Sequence, residues 1–458
     1  MKVVKIELRD FLNFKKGLVI DLTYPPGHPK AGKPLDKVCL IGQSGTGKST
    51  LLNLIKFFSF ENSINPDSLD QNFIKEENVG IHFIIDNTYK FSKWSKENPK
   101  DKVENHLDIE LIYKGENGLN NYDCKSYINE HFFKGQGVKL MSFPFDTIRN
   151  FYNETGDYIK VVQKPEDEMK AGSEKISLAE QRQNYLEKQV WDFSIDKVHW
   201  VWEIVVDQIK EYEPEYHKKV RELLSKTKAD RENASKYYEE FEEWEKEHEN
   251  PLKQVVQKCL DKILCDFNLK VNTDIDFDKD DHRKLGRIQQ ISDGAEVPIS
   301  FLSTGTIQAV VTSIPLSVLK FCEAIILFDE PERSLYPDSQ IGLINSYTSL
   351  IEDSQFFFAT HSPIVASAFE PCERIILDFD HEGRVYAQRG SAPEGNDPND
   401  LLMQDFGLTT VLEKKGQEAY DRFIELKSLI HSEKDEATKE SYMVEYLTLG
   451  NQYRFDNI

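Results

Sequence analysis

The sequence predicts an α/β protein: a mixed-sheet lobe plus a parallel-sheet core, interrupted by an inserted helical hairpin. Three observations carry this. Residues 40–52 read LIGQSGTGKSTLL, an apolar strand running through a glycine-rich turn into the start of a helix. Two short apolar runs, AIILFDE (324–330) and SQFFFATHSP (354–363), have the composition of strands buried on both faces of a parallel sheet. From about residue 166 to 265 the chain is dense in Glu, Lys, Gln and Arg and poor in glycine, the texture of solvated helices.

The chain has 458 residues, 39% of them hydrophobic, enough for a large core and two to three domains. A net charge of -22 disfavours bulk binding to nucleic acid or to an anionic membrane surface. None of the six cysteines forms a C-x-x-C pair, so zinc-knuckle spacing is missing. A reduced compartment fits, with the cysteines as small core residues. The start, MKVVKIELRDF, alternates like a strand and is no signal peptide. The most apolar stretch, Phe301–Phe328, contains Gly305, Pro315, Lys320 and Glu323. It reads as a helix followed by a buried strand, not a membrane span. A cytoplasmic protein with no membrane partner is expected.

In order, residues 1–165 form the first lobe. Val3, Lys5, Glu7 and Arg9 alternate with Val4, Ile6 and Leu8, and GLVIDLTY follows as a second strand. PPGHPKAGKP is a loop by composition. KVCLI leads into the glycine turn, and TLLNLIKFFSF continues as a helix. VGIHFIID, TYKFSKW, LDIELIY and VKLMSFPF read as further strands. Residues 166–265 are the helical insert, in which Ala234, Tyr237, Phe241, Trp244 and His248 step at helical spacing along one seam. Residues 266–390 are the second lobe, ending in the hairpin RIILDFDHEGRVYAQ. Residues 391–458 are a helical tail with Tyr420, Phe423, Ile424 and Ile430 as its apolar stripe.

Gly42, Gln43, Ser44, Gly45, Thr46, Gly47, Lys48 and Ser49 fit G-x-x-x-x-G-K-[ST], followed by Thr50. The glycines let backbone N–H groups converge on phosphate oxygens, and the helix N-terminus adds positive potential. Lys48 is expected to reach the β- and γ-phosphates of a nucleotide, and Ser49 to hold Mg²⁺. Asp329 ends an apolar strand, where a carboxylate is placed to bind Mg²⁺ as well. Glu330, next in line, is the candidate to polarise an attacking water. Upstream, Leu302-Ser303-Thr304-Gly305-Thr306-Ile307-Gln308 opens a helix. Ser303 and Gly305 there make a second anion site. One nucleotide has no obvious need of two such sites from one chain, whereas two chains facing head-to-tail would use both.

The order of phosphate loop, LSTG, ILFDEPE and THS resembles the ABC-type ATPases, and LSTGT in place of LSGGQ resembles their SMC, RecF and OLD-like branch. The resemblance covers roughly residues 1–60 and 295–390. It implies an ABC-type head in which ATP is sandwiched between two copies, with Ser303 and Gly305 contacting the γ-phosphate in trans. SLYP after Glu332 resembles the D-loop. His361 resembles the switch histidine that senses the γ-phosphate and serves catalysis beside Glu330. The Q-loop residue is unassigned: Gln136 is available, but MSFPFDTIRN carries no glutamine, and Arg149 reads as a surface arginine. Asp378 and Asp380 in LDFD lie where the family has its last hairpin, so a toprim nuclease centre is not expected there. The overall plan resembles ATPase subunits of bacterial anti-phage defence systems: PARIS first, with Septu and retron-associated systems beside it. That implies a homo-oligomer built on ATPase dimers, a separate effector protein of the nuclease class, and a phage protein as trigger. The alternative is a RecF/SMC-like repair ATPase that binds DNA; the acidity and the short insert argue against it.

Overall fold

The computed structural model describes residues 1–59, 79–85, 89–96, 106–113, 139–145, 147, 189–193, 198–256, 260–272, 287–298, 301–319, 321–395, 397–410 and 412–455. They fall into two compact units, Met1–Gly395 and Asn396–Ile458. Gln136, Arg149 and the first part of the expected insert, residues 166–188, lie outside the described residues.

The strands of the first unit are β1 (Lys2–Leu8), β2 (Leu18–Asp21), β3 (Lys37–Gly42), β4 (Val79–Ile85), β5 (Tyr89–Lys96), β6 (His106–Tyr113), β7 (Leu140–Phe143), β8 (Val190–Asp192), β9 (Leu269–Asn272), β10 (Arg287–Gln290), β11 (Ile325–Asp329), β12 (Gln355–Thr360), β13 (Arg374–Phe379) and β14 (Val385–Arg389). Its helices are α1 (Lys48–Ser59), α2 (Val198–Ala229), α3 (Ala234–Glu247), α4 (Pro251–Val255), α5 (Asp261–Leu264), α6 (Thr304–Val318), α7 (Pro337–Gln340), α8 (Leu343–Thr348) and α9 (Pro363–Ala366).

The core sheet has the order β14-β13-β3-β12-β11-β7-β8. Every neighbouring pair is parallel except the β13/β14 hairpin. Its inner strands β3, β12, β11 and β7 are buried on both faces, and the period-2 alternation sends successive side chains into different layers. Leu40, Leu327, Phe357 and Leu377 share one core cluster with Leu51, Leu54, Ile55 and Phe58 of α1. The neighbouring positions build an aromatic stack: Phe328 lies 5.0 Å from Phe143, 4.8 Å from Phe358 and 5.2 Å from Tyr347, ring to ring. Among the described residues, β8 departs from the expected helical insert. Val190-Trp191-Asp192 is too short and too buried for a solvated helix, and it extends the sheet beside β7.

The second sheet, β2-β1-β4-β5-β6, is antiparallel throughout. Strict alternation would put Val3 with the polar residues, yet Val3 is fully buried. The register of β1 on β4 shifts between Val3 and Lys5, and that irregularity turns Val3 inward. Buried Gln355 joins the two sheets: its amide exchanges hydrogen bonds with both backbone groups of Val3 (2.7 and 2.9 Å) and donates to the Leu35 carbonyl at 2.9 Å.

α2 and α3 form the expected hairpin. Tyr212 and Tyr216 of α2 lie 6.1 and 5.9 Å from Trp244 and Phe241 of α3, and Lys226 pairs with Glu240 at 3.0 Å. The 32 residues of α2 span about 48 Å at ~1.5 Å per residue, a short arm. α6 packs against α2. Cys39 is buried in β3 as expected, but Cys265 and Cys322 are exposed, so the cysteines are not uniformly core residues.

The second unit contains α10 (Pro398–Gln404), α11 (Lys414–Ser432) and α12 (Glu436–Tyr453). α11 and α12 pack through Phe423, stacked 4.2 Å from Tyr446, and through Arg422, whose Nε donates to Glu445 at 2.9 Å. The buried side chains of α11 are Phe423 and Leu426, while Ile424 is 46% exposed. A step of three from Phe423 keeps to one face; Ile424, one residue on, is rotated roughly 100° away. Among the described residues, no helix is long and apolar enough to cross a membrane.

Candidate functional site

Parallel pairing brings the sequence motifs to one edge. The C-terminal ends of β3, β12 and β11 are neighbours, with Ile41 paired to Thr360 and Ala359 paired to Asp329. Gly42 ends β3 and Gln43 to Gly47 follow it, Asp329 ends β11 and Glu330 follows it, and His361 follows β12. The C-terminal edge of such a sheet is where α/β folds hold ligands.

The phosphate loop closes on itself. Thr46 donates to the Gln43 carbonyl through both its N–H (3.3 Å) and its Oγ1 (2.8 Å), leaving Gln43, Ser44 and Gly45 exposed at the crest. Gly47 has φ 88°, and a Cβ there would lie 2.5 Å from the Phe14 ring, so both conformation and space require glycine. Lys48 is 6% exposed and donates through Nζ to the carbonyls of Gly42 (2.8 Å) and Gln43 (3.1 Å). Burial pulls its ammonium below the usual lysine range, and Asp329, Glu330 and Glu332 push back. Those four charges therefore share one field. Ser49 is exposed at the start of α1, and Thr50 is half-buried.

Glu330 has φ 50°, a left-handed conformation that costs a non-glycine residue about 1–3 kcal/mol. Its N–H donates to the Ala359 carbonyl at 2.8 Å, and its Oε1 lies 3.7 Å from His361 Nε2. Burial, then the charge of Lys48, lowers the His361 pKa. That direction favours the neutral imidazole, in which the contact with Glu330 is a polar approach and not an ion pair. Ser49 and Asp329 supply one hydroxyl and one carboxylate beside the loop. Hard oxygen donors of this kind suit Mg²⁺, which takes one or two carboxylates and completes its shell with phosphate and water. Among the described residues no group of three or more His, Cys, Asp or Glu forms a closed protein cage.

Ser303 and Gly305 open α6. Ser303 is the N-cap, its Oγ accepting from the Thr306 N–H at 3.1 Å. A Cβ on Gly305 would lie 2.5 Å from the Ser334 carbonyl oxygen and 3.0 Å from Leu335 Cδ2, so the helix start rests directly on the SLYP segment. Phe301, two residues before Ser303, is 80% exposed, and Tyr336, next to Leu335, is 71% exposed.

Three residues of the site were given no role by the sequence. Glu332, 8% exposed, accepts through Oε1 from Thr360 Oγ1 (2.5 Å) and from the His361 N–H (3.2 Å). Gln308 donates to the carbonyls of Glu330 (3.3 Å) and Pro331 (2.9 Å). Gln340 donates to the Leu335 carbonyl (3.0 Å) and accepts from Ser362 Oγ (2.6 Å). The second acid of DEPE was the available signal for Glu332. The partners of Gln308, and Ser362 as partner of Gln340, lie 22 or more residues away and leave no local pattern.

A phosphate loop after one parallel strand, an Asp-Glu pair after another and a histidine after the strand between them define an ABC-type P-loop ATPase head. The AAA ATPase domain family matches residues 1–366, and the chain belongs to it. Solved structures with similarity include the SmcHead bound to the C-winged helix domain of ScpA, at 12% identity over 85% of this chain and 98% of that one (TM-score 0.44). The Smc head domain with an extended coiled coil bound to the C-terminal domain of ScpA, from Pyrococcus furiosus, gives 14%, 85% and 96% (TM-score 0.41). The SMC head domain from Thermotoga maritima gives 11%, 86% and 100% (TM-score 0.41).

Proposed function

We propose that the chain binds and hydrolyses ATP at an interface between two head-to-tail copies and so acts as a switch for a separate effector. The observation that carries the reading is the convergence of Lys48, Asp329, Glu330 and His361 at the C-terminal edge of one parallel sheet. In it, the loop Gly42–Ser49 with Thr50 wraps the phosphates and Lys48 turns its ammonium from the loop carbonyls to the β- and γ-phosphates. Ser49 and Asp329 hold Mg²⁺, which when bound neutralises phosphate charge. Glu330 accepts a proton from the attacking water, and neutral His361 hydrogen-bonds the γ-phosphate side of the site. Ser303 and Gly305 serve the γ-phosphate of the partner copy. Supporting that closure, Phe301 and Tyr336 are large, exposed and adjacent to the Ser303 cap and the Gly305 contact, where a second copy would cover them.

The output is anti-phage defence. The lobes 1–165 and 266–390 close on ATP, and the α2/α3 hairpin between them is the docking element for a nuclease-class effector released by a phage trigger in the cytoplasm. The short hairpin and the charge of -22 support this over a long-armed DNA clamp. The test is affinity purification of the tagged full chain from a bacterial host carrying its neighbouring genes, before and after phage challenge. The reading expects a nuclease-class protein to co-purify before challenge and to leave after it. Salt-sensitive binding of duplex DNA with no such partner would replace it with the repair reading.

A further inference from the structure

The buried carboxyl of Glu332 has no part in the site as the motifs define it. It nonetheless ties two of the motif segments together by side-chain hydrogen bonds at their reacting ends. Through Oε1 it takes the Thr360 hydroxyl and the His361 N–H, and Thr360 Oγ1 accepts in turn from the Ser362 N–H at 2.9 Å. One oxygen thus fixes the turn 360–362 that carries His361. On the other side, Gln308 holds the carbonyls of Glu330 and Pro331, just before Glu332, and the Glu330 N–H is held by Ala359. Glu330 is kept in its left-handed conformation between these restraints.

This arrangement is a poor choice for stability alone. Glu332 Oε2 is buried without a hydrogen-bond partner, and burial raises the carboxyl above its ordinary range. A half-matched buried carboxyl costs free energy that an apolar pair of the same shape would not. Deep burial at an unfavourable cost, next to Glu330 and His361, is what a positioning group requires.

We propose that Glu332 is a positioning residue for ATP hydrolysis: by holding Thr360 and the His361 backbone it sets the 3.7 Å approach of His361 to Glu330. The inference rests on the ATPase reading above. The Glu332→Leu/Thr360→Val pair removes the carboxyl and the hydroxyl together and leaves the His361 and Ser362 N–H groups without their side-chain acceptors. The full-length pair variant is expected to fold with a lowered Tm, because those two N–H groups lose their acceptors, and to bind ATP as wild type does, with unchanged KM. Its kcat should fall roughly 10- to 100-fold, the scale of a misplaced catalytic group. Glu332→Gln keeps the acceptor and the shape and should retain kcat within roughly threefold, well short of that loss. In a His361→Ala background the pair should cause no further loss, because both changes remove the same arrangement.

Wild-type kcat in the folded pair, a loss that multiplies with His361→Ala, or a Glu332→Gln as impaired as the pair would each overturn the proposal. Where the pair does not fold, Thr360→Val alone, nearly isosteric, carries the test. Lowered kcat at constant KM supports the role of Glu332, and unchanged kcat overturns it. An ATPase-silent wild type, or a His361→Ala variant with unchanged kcat, would instead defeat the underlying reading, so the two failures are distinct.

Discussion

Lys48→Met separates binding from stability. The lysine is 6% exposed and its burial disfavours the ammonium, against the attraction of Asp329, Glu330 and Glu332. Its folded pKa lies below the unfolded value, so the unfolded chain holds the proton more tightly. The charged residue therefore subtracts stability at neutral pH, a penalty that fades only as pH rises toward the unfolded lysine value. The two hydrogen bonds to Gly42 and Gln43, at 2.8 and 3.1 Å, offset part of that penalty. Methionine fills nearly the same volume, so the nucleotide-free variant should melt within a few degrees of wild type or above it. ATP affinity should move the other way. A hydrogen bond to a charged group contributes about 1.5–3 kcal/mol, and the phosphate contacts, charged at both ends, exceed the two carbonyl contacts given up by about one such bond, a net loss of about 2–3 kcal/mol. That is a factor of roughly 30 to 150 in Kd. Calorimetric titration with Mg²⁺-ATP reads the affinity and a thermal melt reads the stability. A folded variant that binds ATP as tightly as wild type would refute the phosphate role, and a strongly destabilised one would make Lys48 a structural pin of the loop.

Two further outcomes concern the frame around the site. Lys56 of α1 and Asp192 of β8 form a buried pair at 2.8 Å. Lys56→Met should cost about 3–5 kcal/mol in urea unfolding, and Lys56→Met/Asp192→Leu should recover most of it, because the single change takes the Lys56 cation away from a carboxylate that stays buried. His82, buried beside Glu7 at 3.5 Å, is pushed down to about 4, by burial first and Lys5 next, with Glu7 opposing. A depressed histidine contributes stability that is present above the unfolded value near 6.5 and is lost as pH falls toward 4. The melting temperature should drop across that window, and His82→Gln should flatten the drop; an unchanged slope would place its cause elsewhere.

The sequence made the site's outline legible because its parts are local. A strand feeding G-x-x-x-x-G-K-S, an apolar run ending in Asp329-Glu330 and a Ser303 cap each carry their own physical pattern within a few residues. The seam of Phe241 and Trp244 was legible for the same reason, and Tyr212 and Tyr216 complete it in the structure. What could not be read depends on partners distant in the chain. Glu332 looks like one more surface acid in DEPERS until Thr360 folds over it, 28 residues away. Val3 reads as a polar-face residue until the irregularity against β4 turns it inward. β8 was hidden by its charged neighbours, since three residues are too few for any periodicity. Ile424 failed for a simpler reason: adjacency to Phe423 in sequence is not adjacency on a helix face.

The central claim, a nucleotide shared between two copies, is tested most directly by mixing two inactive variants. Ser303→Arg blocks the capping helix but leaves the phosphate loop intact; Lys48→Ala disables the phosphate loop but leaves the cap intact. A head-to-tail pair of one of each has one composite site built from the two undamaged halves. Steady-state ATP hydrolysis is measured for each variant alone and for the mixture, under conditions where mixed dimers are confirmed to form. The account predicts two silent variants and measurable hydrolysis in the mixture. A mixture as silent as its components, with mixed dimers present, would contradict it.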